Sequence, residues 1–411
     1  MLGTTAGWIA TGCSAPKAAP TPPEAGPDEG APGASAPAPA PADTKTVLVL
    51  GGTGFLGPHF VRAAQERGYT VTLFNRGKTN THLFPDLEKI RGERGTDMSA
   101  LAAAVNSGRR WDAVIDTSGY VPRVVRESAE LLAEATDRYV FISSISVYKD
   151  PTVVGIAEDA AVGTIDDPTI EEVNGETYGP LKALCEQVSE EVYGARATVI
   201  RPGLIVGPGD PTDRYTYWPV RCARGGELIA PGTPQDPTQI IDARDLAAFM
   251  VECLEGQVSG RFNAAGPAEK IDMETMIGAC ITAAGSDATP VWIPAAFLEE
   301  QEVAPWMHMP AWVPPDGEAG GLLQVSIAAA RAKGLTFRSI EDTARDTLAW
   351  WSELPQERRE KPRAGLPADR EAEVLAAWKK AQKKGWKPGK KQAKDKGDAK
   401  GDAKSGKKKA A

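Results

Sequence analysis

Histidine is scarce in this 411-residue chain: only His59, His82 and His308 occur, with no HxxxH spacing. Cysteine is little more common, and the five present (Cys13, Cys185, Cys222, Cys253 and Cys280) form no CxxC pair. Zinc and iron–sulfur sites need ligand clusters at such spacings, so neither a structural nor a catalytic metal is expected. The last four cysteines lie far apart, most of them in apolar, helix-like stretches, and read as buried free thiols. A run of 18 apolar residues is also missing, so no membrane-spanning helix is predicted in the body. Net positive charge is missing from most of the chain. The formal net charge is −8, yet residues 379–411 hold fourteen Lys against three Asp, and removing that local +11 leaves −19 for residues 1–378. An acidic body argues against a nucleic-acid-binding face, and no specific nucleic acid is predicted as a partner. Only the Lys-rich tail is suited to contact polyanions.

What is present begins with enough apolar residues, 42% of the chain, to build a sizeable core. The length accommodates one large α/β domain, a smaller lobe and terminal extensions. Residues 14–45 are dense in Pro and Ala, with almost no large apolar side chains. Such a segment buries too little surface to offset its ordering entropy and reads as a disordered tether, as do the Lys clusters of 385–411. Between these ends, strand-like and helix-like pieces alternate. Thr46–Leu50, Thr70–Phe74, Ala113–Asp116, Tyr139–Ile142 and Ala197–Arg201 read as strands. Pro58–Arg67 and Tyr178–Tyr193 read as helices, and Val125, Ala129 and Leu132 recur at helical spacing. This alternation predicts an α/β fold of the Rossmann type, a doubly wound parallel sheet over 46–267. Residues 268–384 read as a smaller C-terminal substrate lobe with a helical extension, and Ser339 and Asp342 read as a capping box before the helix holding Trp350 and Trp351.

The first strand runs directly into Gly51-Gly52-Thr53-Gly54-Phe55-Leu56-Gly57 and then a helix. The first Gly permits the tight turn, Gly54 lets the backbone approach a pyrophosphate, and Gly57 permits close helix–strand packing. The helix N-terminus supplies free N–H groups for the phosphates, and Pro58 just inside it fits because its missing N–H has no partner there. The second strand ends in Phe74-Asn75-Arg76-Gly77. NAD-selecting proteins place an acid there for the ribose hydroxyls; Arg76 is suited instead to a 2′-phosphate, which favours NADP with NAD as the alternative.

Further on, Tyr178-Gly-Pro-Leu-Lys182 is a YxxxK pattern. Residues four apart share a helix face, so an ammonium stands beside a phenol. A free Tyr titrates near ~10, and a neighbouring cation draws it toward general acid/base work at neutral pH. Upstream, Tyr139-Val-Phe-Ile-Ser143-Ser144 is a buried strand running into hydroxyl side chains, and Arg201-Pro-Gly-Leu-Ile-Val-Gly-Pro208 follows the YxxxK helix.

In this order, these motifs resemble the NAD(P)-dependent epimerase/dehydratase family, the extended and atypical short-chain dehydrogenases, over about residues 46–267. The Asn-Arg-Gly end of the second strand and Thr238-Gln239 resemble the branch that includes chloroplast stem-loop-binding proteins. The resemblance implies hydride transfer at a small hydroxyl or carbonyl substrate, sugar-like by family. It assigns Ser144 to the substrate oxygen, Tyr178 to acid/base work and Lys182 to the ribose and the Tyr. It places Gly51, Thr53, Gly54, Phe55, Leu56, Gly57, Asn75 and Arg76 around the cofactor, with Glu93 near the adenine. A non-catalytic NAD(P)-binding sensor and an RNA-associated protein are the alternatives. One departure stands out. Nucleotide-sugar epimerases carry an Arg shortly before the xDL element that binds the diphosphate, and here that position is Thr238. Arg214, Tyr217, Trp218 and Arg221 offer aromatic faces with flanking cations, read either as a substrate lid or as a packed surface loop. Trp306, His308 and Trp312 read as core or loop packing, with facing the same cleft as the alternative.

Residues 1–13 are uncharged, apolar to small, and end at Cys13. They resemble the second half of a signal peptide with an imperfect lipobox, so export with a lipid anchor through Cys13 is expected, a cytoplasmic location being the alternative.

Overall fold

A computed structural model describes residues 45–388; Cys13, the Pro/Ala tether and the tail beyond 388 lie outside the described residues. The chain runs β1 (Thr46–Leu50), α1 (Leu56–Glu66), β2 (Thr70–Asn75), β3 (Glu88–Arg91), α2 (Ser99–Asn106), β4 (Trp111–Asp116), α3 (Pro122–Leu132) and β5 (Thr136–Ile142). Next come α4 (Tyr178–Tyr193), β6 (Ala197–Pro202), β7 (Leu204–Val206), α5 (Tyr217–Cys222), β8 (Glu227–Pro231), β9 (Pro237–Thr238) and β10 (Ile240–Asp242). The remainder is α6 (Ala243–Glu255), β11 (Gly260–Ala264), β12 (Ile271–Asp272), α7 (Met273–Ala284), β13 (Thr289–Ile293), α8 (Ala295–Glu300), α9 (Ala328–Ala332), α10 (Ile340–Glu353), α11 (Gln356–Arg359) and α12 (Ala368–Lys383).

Seven parallel strands form the main sheet in the order β11-β6-β5-β4-β1-β2-β3. Val49 of β1 pairs with Leu73 of β2 on one side and Ile115 of β4 on the other. Both faces of these strands are covered, which is why their sequences read as continuous apolar runs. α1 and α6 pack one face through Phe60, Val61, Leu246, Phe249 and Met250; α3 and α4 pack the other through Val125, Ala129, Leu132, Cys185 and Val188. Strand order reverses between β1 and β4, and the crevice beyond their carboxyl ends is where such sheets hold ligands.

The second lobe is built from β7 with β10, β8 with β13 and β9 with β12, packed with α5, α7, α10 and α12. Its core contains Trp218, Trp312, Phe297 and Trp378. The two lobes interleave across the expected boundary at 267. Residues 204–240 leave the main sheet and contribute Leu204, Tyr215, Trp218, Leu228 and Ile240 to the second core, whereas Ala330 and Leu335 return to the first. Helix α12 ends at Lys383, yet packing continues past the expected boundary at 384: Trp386 lies against Phe297 and Trp378 at 5.5 and 5.4 Å, and its indole N–H donates to Glu300. Edge strand β3 (EKIR) has no unbroken apolar run, because its residues are half-buried to exposed, and for that reason the sequence gives no sign of it. Cys185, Cys222, Cys253 and Cys280 are free and buried, as expected.

Candidate active site

The glycine loop lies at the sheet's switch point. Gly51 has φ +115°, and a Cβ there would lie 2.6 Å from Thr117 Oγ1. A Cβ on Gly57 would lie 2.6 Å from the backbone of Gly52, so α1 is pressed directly onto the loop it follows. Gly54 is exposed, with open space where its Cβ would stand. Thr53 and Leu56 are buried, and Phe55 is half-buried against His59. The first turn of α1 has no side-chain cap and no acidic residue. Among the described residues no side chain caps its orphan N–H groups at the positive dipole end, and this donor set fits a dinucleotide pyrophosphate. Asn75 secures the loop: its side chain donates to Gly51 O (3.2 Å) and accepts from Gly77 N (3.0 Å) and Arg91 Nη1 (2.6 Å). Asn80, which the sequence does not flag, donates to Thr53 O at 2.9 Å. Arg76 is exposed and pairs with Glu93 at 3.2 Å, and Lys78 stands 3.7 Å from the same carboxylate.

The second half of the site is carried by α4. Tyr178 opens the helix and is 9% exposed; Lys182 follows one turn later and is 3% exposed. The Lys182 ammonium donates to the carbonyls of Gly119 (2.7 Å) and Ile142 (2.6 Å), which lie at or just beyond the ends of β4 and β5. It also lies 4.3 Å from the Phe141 ring centre and 5.2 Å from that of Tyr120. The Tyr120 and Tyr178 rings are 6.4 Å apart. A Cβ at Gly179 would come within 2.2 Å of Ser146 O, so the first turn of α4 rests against residues 144–147. Ser144 caps the short turn Ile145–Val147, its Oγ accepting from Ser146 N at 3.1 Å and donating to Ser146 Oγ at 3.0 Å. Ser143 is committed elsewhere: it donates to Glu186, which pairs with the fully buried Arg201 at 2.7 Å. The structure thus brings Ser144, Tyr178 and Lys182 to the glycine-loop side of the sheet.

The proposed lid is not one. Trp218 is fully buried, and its indole N–H donates to Pro310 O at 2.7 Å. Arg221 is 6% exposed and pairs with buried Glu371 on α12. Tyr217 is buried against Gly365. These three residues build the second core because α5 turns them toward α7 and the C-terminal segment, so the packed reading replaces the lid. Arg214 differs: it is half-buried, its guanidinium 5.5 Å from the Trp306 ring centre. Thr238 is buried and donates to Ala311 O at 2.7 Å, a structural bond. Trp312 donates to Asp236 at 2.8 Å, and His308 Nδ1 accepts from Ala304 N.

Two acids escaped the sequence reading. Asp116, at the end of β4, is fully buried. Burial pushes its carboxyl up, but the Arg94 guanidinium and the hydrogen bonds from Arg94, Ser118 and Tyr139 outweigh this, and the net direction is down. Asp210 is 1% exposed; Oδ1 accepts from Thr212, and Oδ2 is buried without a partner among the described residues. Here burial pushes the carboxyl up, and neither Arg214 nor Thr212 cancels it.

Comparison with known proteins follows the same outline. The pattern of the NAD dependent epimerase/dehydratase family matches residues 47–265. The chloroplast stem-loop binding protein of 41 kDa b from Arabidopsis thaliana is 25% identical over 261 residues, 59% of this chain and 64% of that protein. The chain therefore spans just under two thirds of that relative. A dTDP-4-dehydro-6-deoxy-D-allose reductase from Streptomyces is 24% identical over 291 residues, 62% of this chain and 88% of the relative. Among solved structures, UDP-glucose 4-epimerase from Bifidobacterium longum with NAD+ and UDP superposes with a TM-score of 0.54 at 20% identity, covering 76% of this chain and 99% of that one. At that identity the likeness shows the fold.

Proposed function

The chain belongs to the NAD dependent epimerase/dehydratase family, and from that premise we propose an NADP(H)-preferring oxidoreductase or epimerase acting on a small, sugar-like hydroxyl or carbonyl compound. The observation that carries the reading is the Lys182 ammonium, buried at the strand ends one helical turn from Tyr178.

The loop from Gly51 to Gly57 and the uncapped start of α1 would hold the pyrophosphate, with Arg76 at the ribose 2′ position. When bound, the nicotinamide supplies or accepts the hydride. The chain's own residues do the proton work. Ser144 Oγ orients the reacting oxygen of the substrate by hydrogen bonding. The Tyr178 hydroxyl gives that oxygen its proton during reduction and takes it during oxidation. The Lys182 ammonium, one helical turn from the phenol, favours the phenolate and so lowers the cost of the proton leaving. The burial of Tyr178 and Lys182 limits water around the pair and strengthens their interaction. Thr238 in place of the diphosphate-binding Arg argues for a substrate other than a UDP-sugar.

Replacing Tyr178 by Phe tests this. The ring stays and the proton is lost, so turnover on a substrate found by screening sugars and polyols with NADPH or NADP+ should fall by about 10²-fold or more. Cofactor affinity should remain within about twofold. Full activity in the Phe variant would overturn the assignment.

A further inference from the structure

The Arg94–Asp116 pair is a costly thing to bury. Arg94 Nη1 and Nη2 reach Asp116 Oδ1 and Oδ2 at 2.6 and 2.8 Å, with side-chain exposures of 9% and 0%. Such pairs are often no more stabilising than well-packed apolar residues of similar volume, so stability alone is a weak reason for this one. Its remaining bonds point to another role. Asp116 Oδ1 also accepts from Ser118 N at 3.0 Å, closing a turn of the backbone directly after β4, and Oδ2 accepts from Tyr139 at 2.8 Å. Thr117 and Ser118 both donate to Leu50 O, at 3.1 and 3.0 Å, tying the turn to the end of β1. The turn then presents Gly119 O to Lys182 Nζ and the Tyr120 ring to both Lys182 and Tyr178. Gly119 is held tightly, for a Cβ there would lie 2.6 Å from Phe141, 2.7 Å from Val125 and 2.9 Å from Asp116.

We propose that Asp116, held by Arg94, is a positioning residue that sets the Lys182 ammonium beside Tyr178 through the turn 116–119. The inference rests on the acid/base reading of Tyr178 above. A carboxylate fixed by a bidentate guanidinium cannot rotate freely, and a backbone N–H bonded to it fixes the peptide units that follow. One of those peptide units carries the carbonyl that the ammonium uses. The titratable groups nearby are Tyr120, Tyr178 and Cys185, whose thiol burial pushes up to about 12 while the charges of Lys182, Asp116, Arg94 and Glu186 act on it.

The chain offers a direct readout. Its eight tyrosines include six (Tyr69, Tyr139, Tyr148, Tyr193, Tyr215 and Tyr217) that burial pushes above the ordinary phenol range. In a Tyr120→Phe background, which keeps the ring beside Lys182, the first tyrosinate absorbance step of the purified full-length protein is expected from Tyr178, and its loss in Tyr178→Phe would assign it. The double variant Asp116→Leu with Arg94→Met leaves no unpaired buried charge and should fold. The expected result is a Tyr178 step raised by about one pH unit, because the ammonium is no longer held in place. Gly119→Ala, which displaces the same carbonyl and leaves both charges, should move it the same way. A Tyr178 step that stays in place in both variants overturns the inference and leaves the acid/base reading intact. If the parent has no Tyr178-dependent step below the buried six, the acid/base reading falls, and this inference with it.

Discussion

Arg76 and Glu93 face each other at the ends of β2 and β3, with Lys78 beside the same carboxylate. All three side chains are more than 40% exposed, so the pairing itself contributes little to stability and is free to be exchanged for a better partner. A 2′-phosphate is such a partner: it brings a larger negative charge to two cations now shared with one carboxylate. NADPH should bind more tightly than NADH, Arg76→Ala should narrow the gap by about tenfold, and Glu93→Gln should widen it. Competitive titration of the two nucleotides against each variant measures this, and equal affinities in the parent protein would rule the preference out. Asp210 makes a different kind of commitment. Its folded-state pKa is raised, so as pH rises through the ordinary Asp range the unfolded chain releases its proton first. Asp210 therefore costs stability at neutral pH, and the cost vanishes below about pH 4, where both states hold the proton. Asp210→Asn should raise the melting temperature at pH 7 and leave it nearly unchanged at pH 3.5. A lower melting temperature at pH 7 would show that the carboxylate has a partner that offsets its burial.

Among the elements, the loop from β1 into α1 is the one whose geometry follows most directly from its residues. Gly57→Ala places a Cβ 2.6 Å from the Gly52 backbone. Neither side is a flexible side chain, so α1 must lift away from the loop, at about 1–3 kcal/mol. The variant should melt lower and bind dinucleotide at least about tenfold more weakly; Gly54→Ala, where a Cβ meets nothing, should melt like the parent. Thermal melts of the pair check this. This loop was legible because glycine spacing encodes close approach, and α4 was legible because Tyr178–Tyr193 carries its own helical pattern. Ser339 likewise accepts from Asp342 N at 3.0 Å and starts α10, as its capping pattern predicts. The substrate side was not legible in the same way. A cation flanked by aromatics has one appearance in sequence whether it lines a cleft or is buried, and only the partner decides. For Arg221 the partner is Glu371, 150 residues away, and no local pattern announces it. Arg94 and Asp116, 22 residues apart on different segments, were hidden for the same reason.

The described residues form two interleaved lobes, and the chain passes between them more than once. β7 to β10 are sent into the second lobe between β6 and α6, and Asp213 in that excursion is gripped by Arg358 at 2.5 Å and by the Arg363 backbone N–H at 2.8 Å, both from the C-terminal segment. Sequence alone divided the domains at a point because composition changes there; packing divides them by face. The seven-stranded sheet, its switch point and the glycine loop belong to the family's common architecture, and that architecture should hold a dinucleotide. Calorimetric titration of the purified full-length protein with NADP+, NADPH, NAD+ and NADH tests it most directly. One equivalent should bind per chain, most tightly for the phosphorylated pair, with binding weakened by Gly57→Ala. Failure of all four nucleotides to bind a folded protein would contradict it.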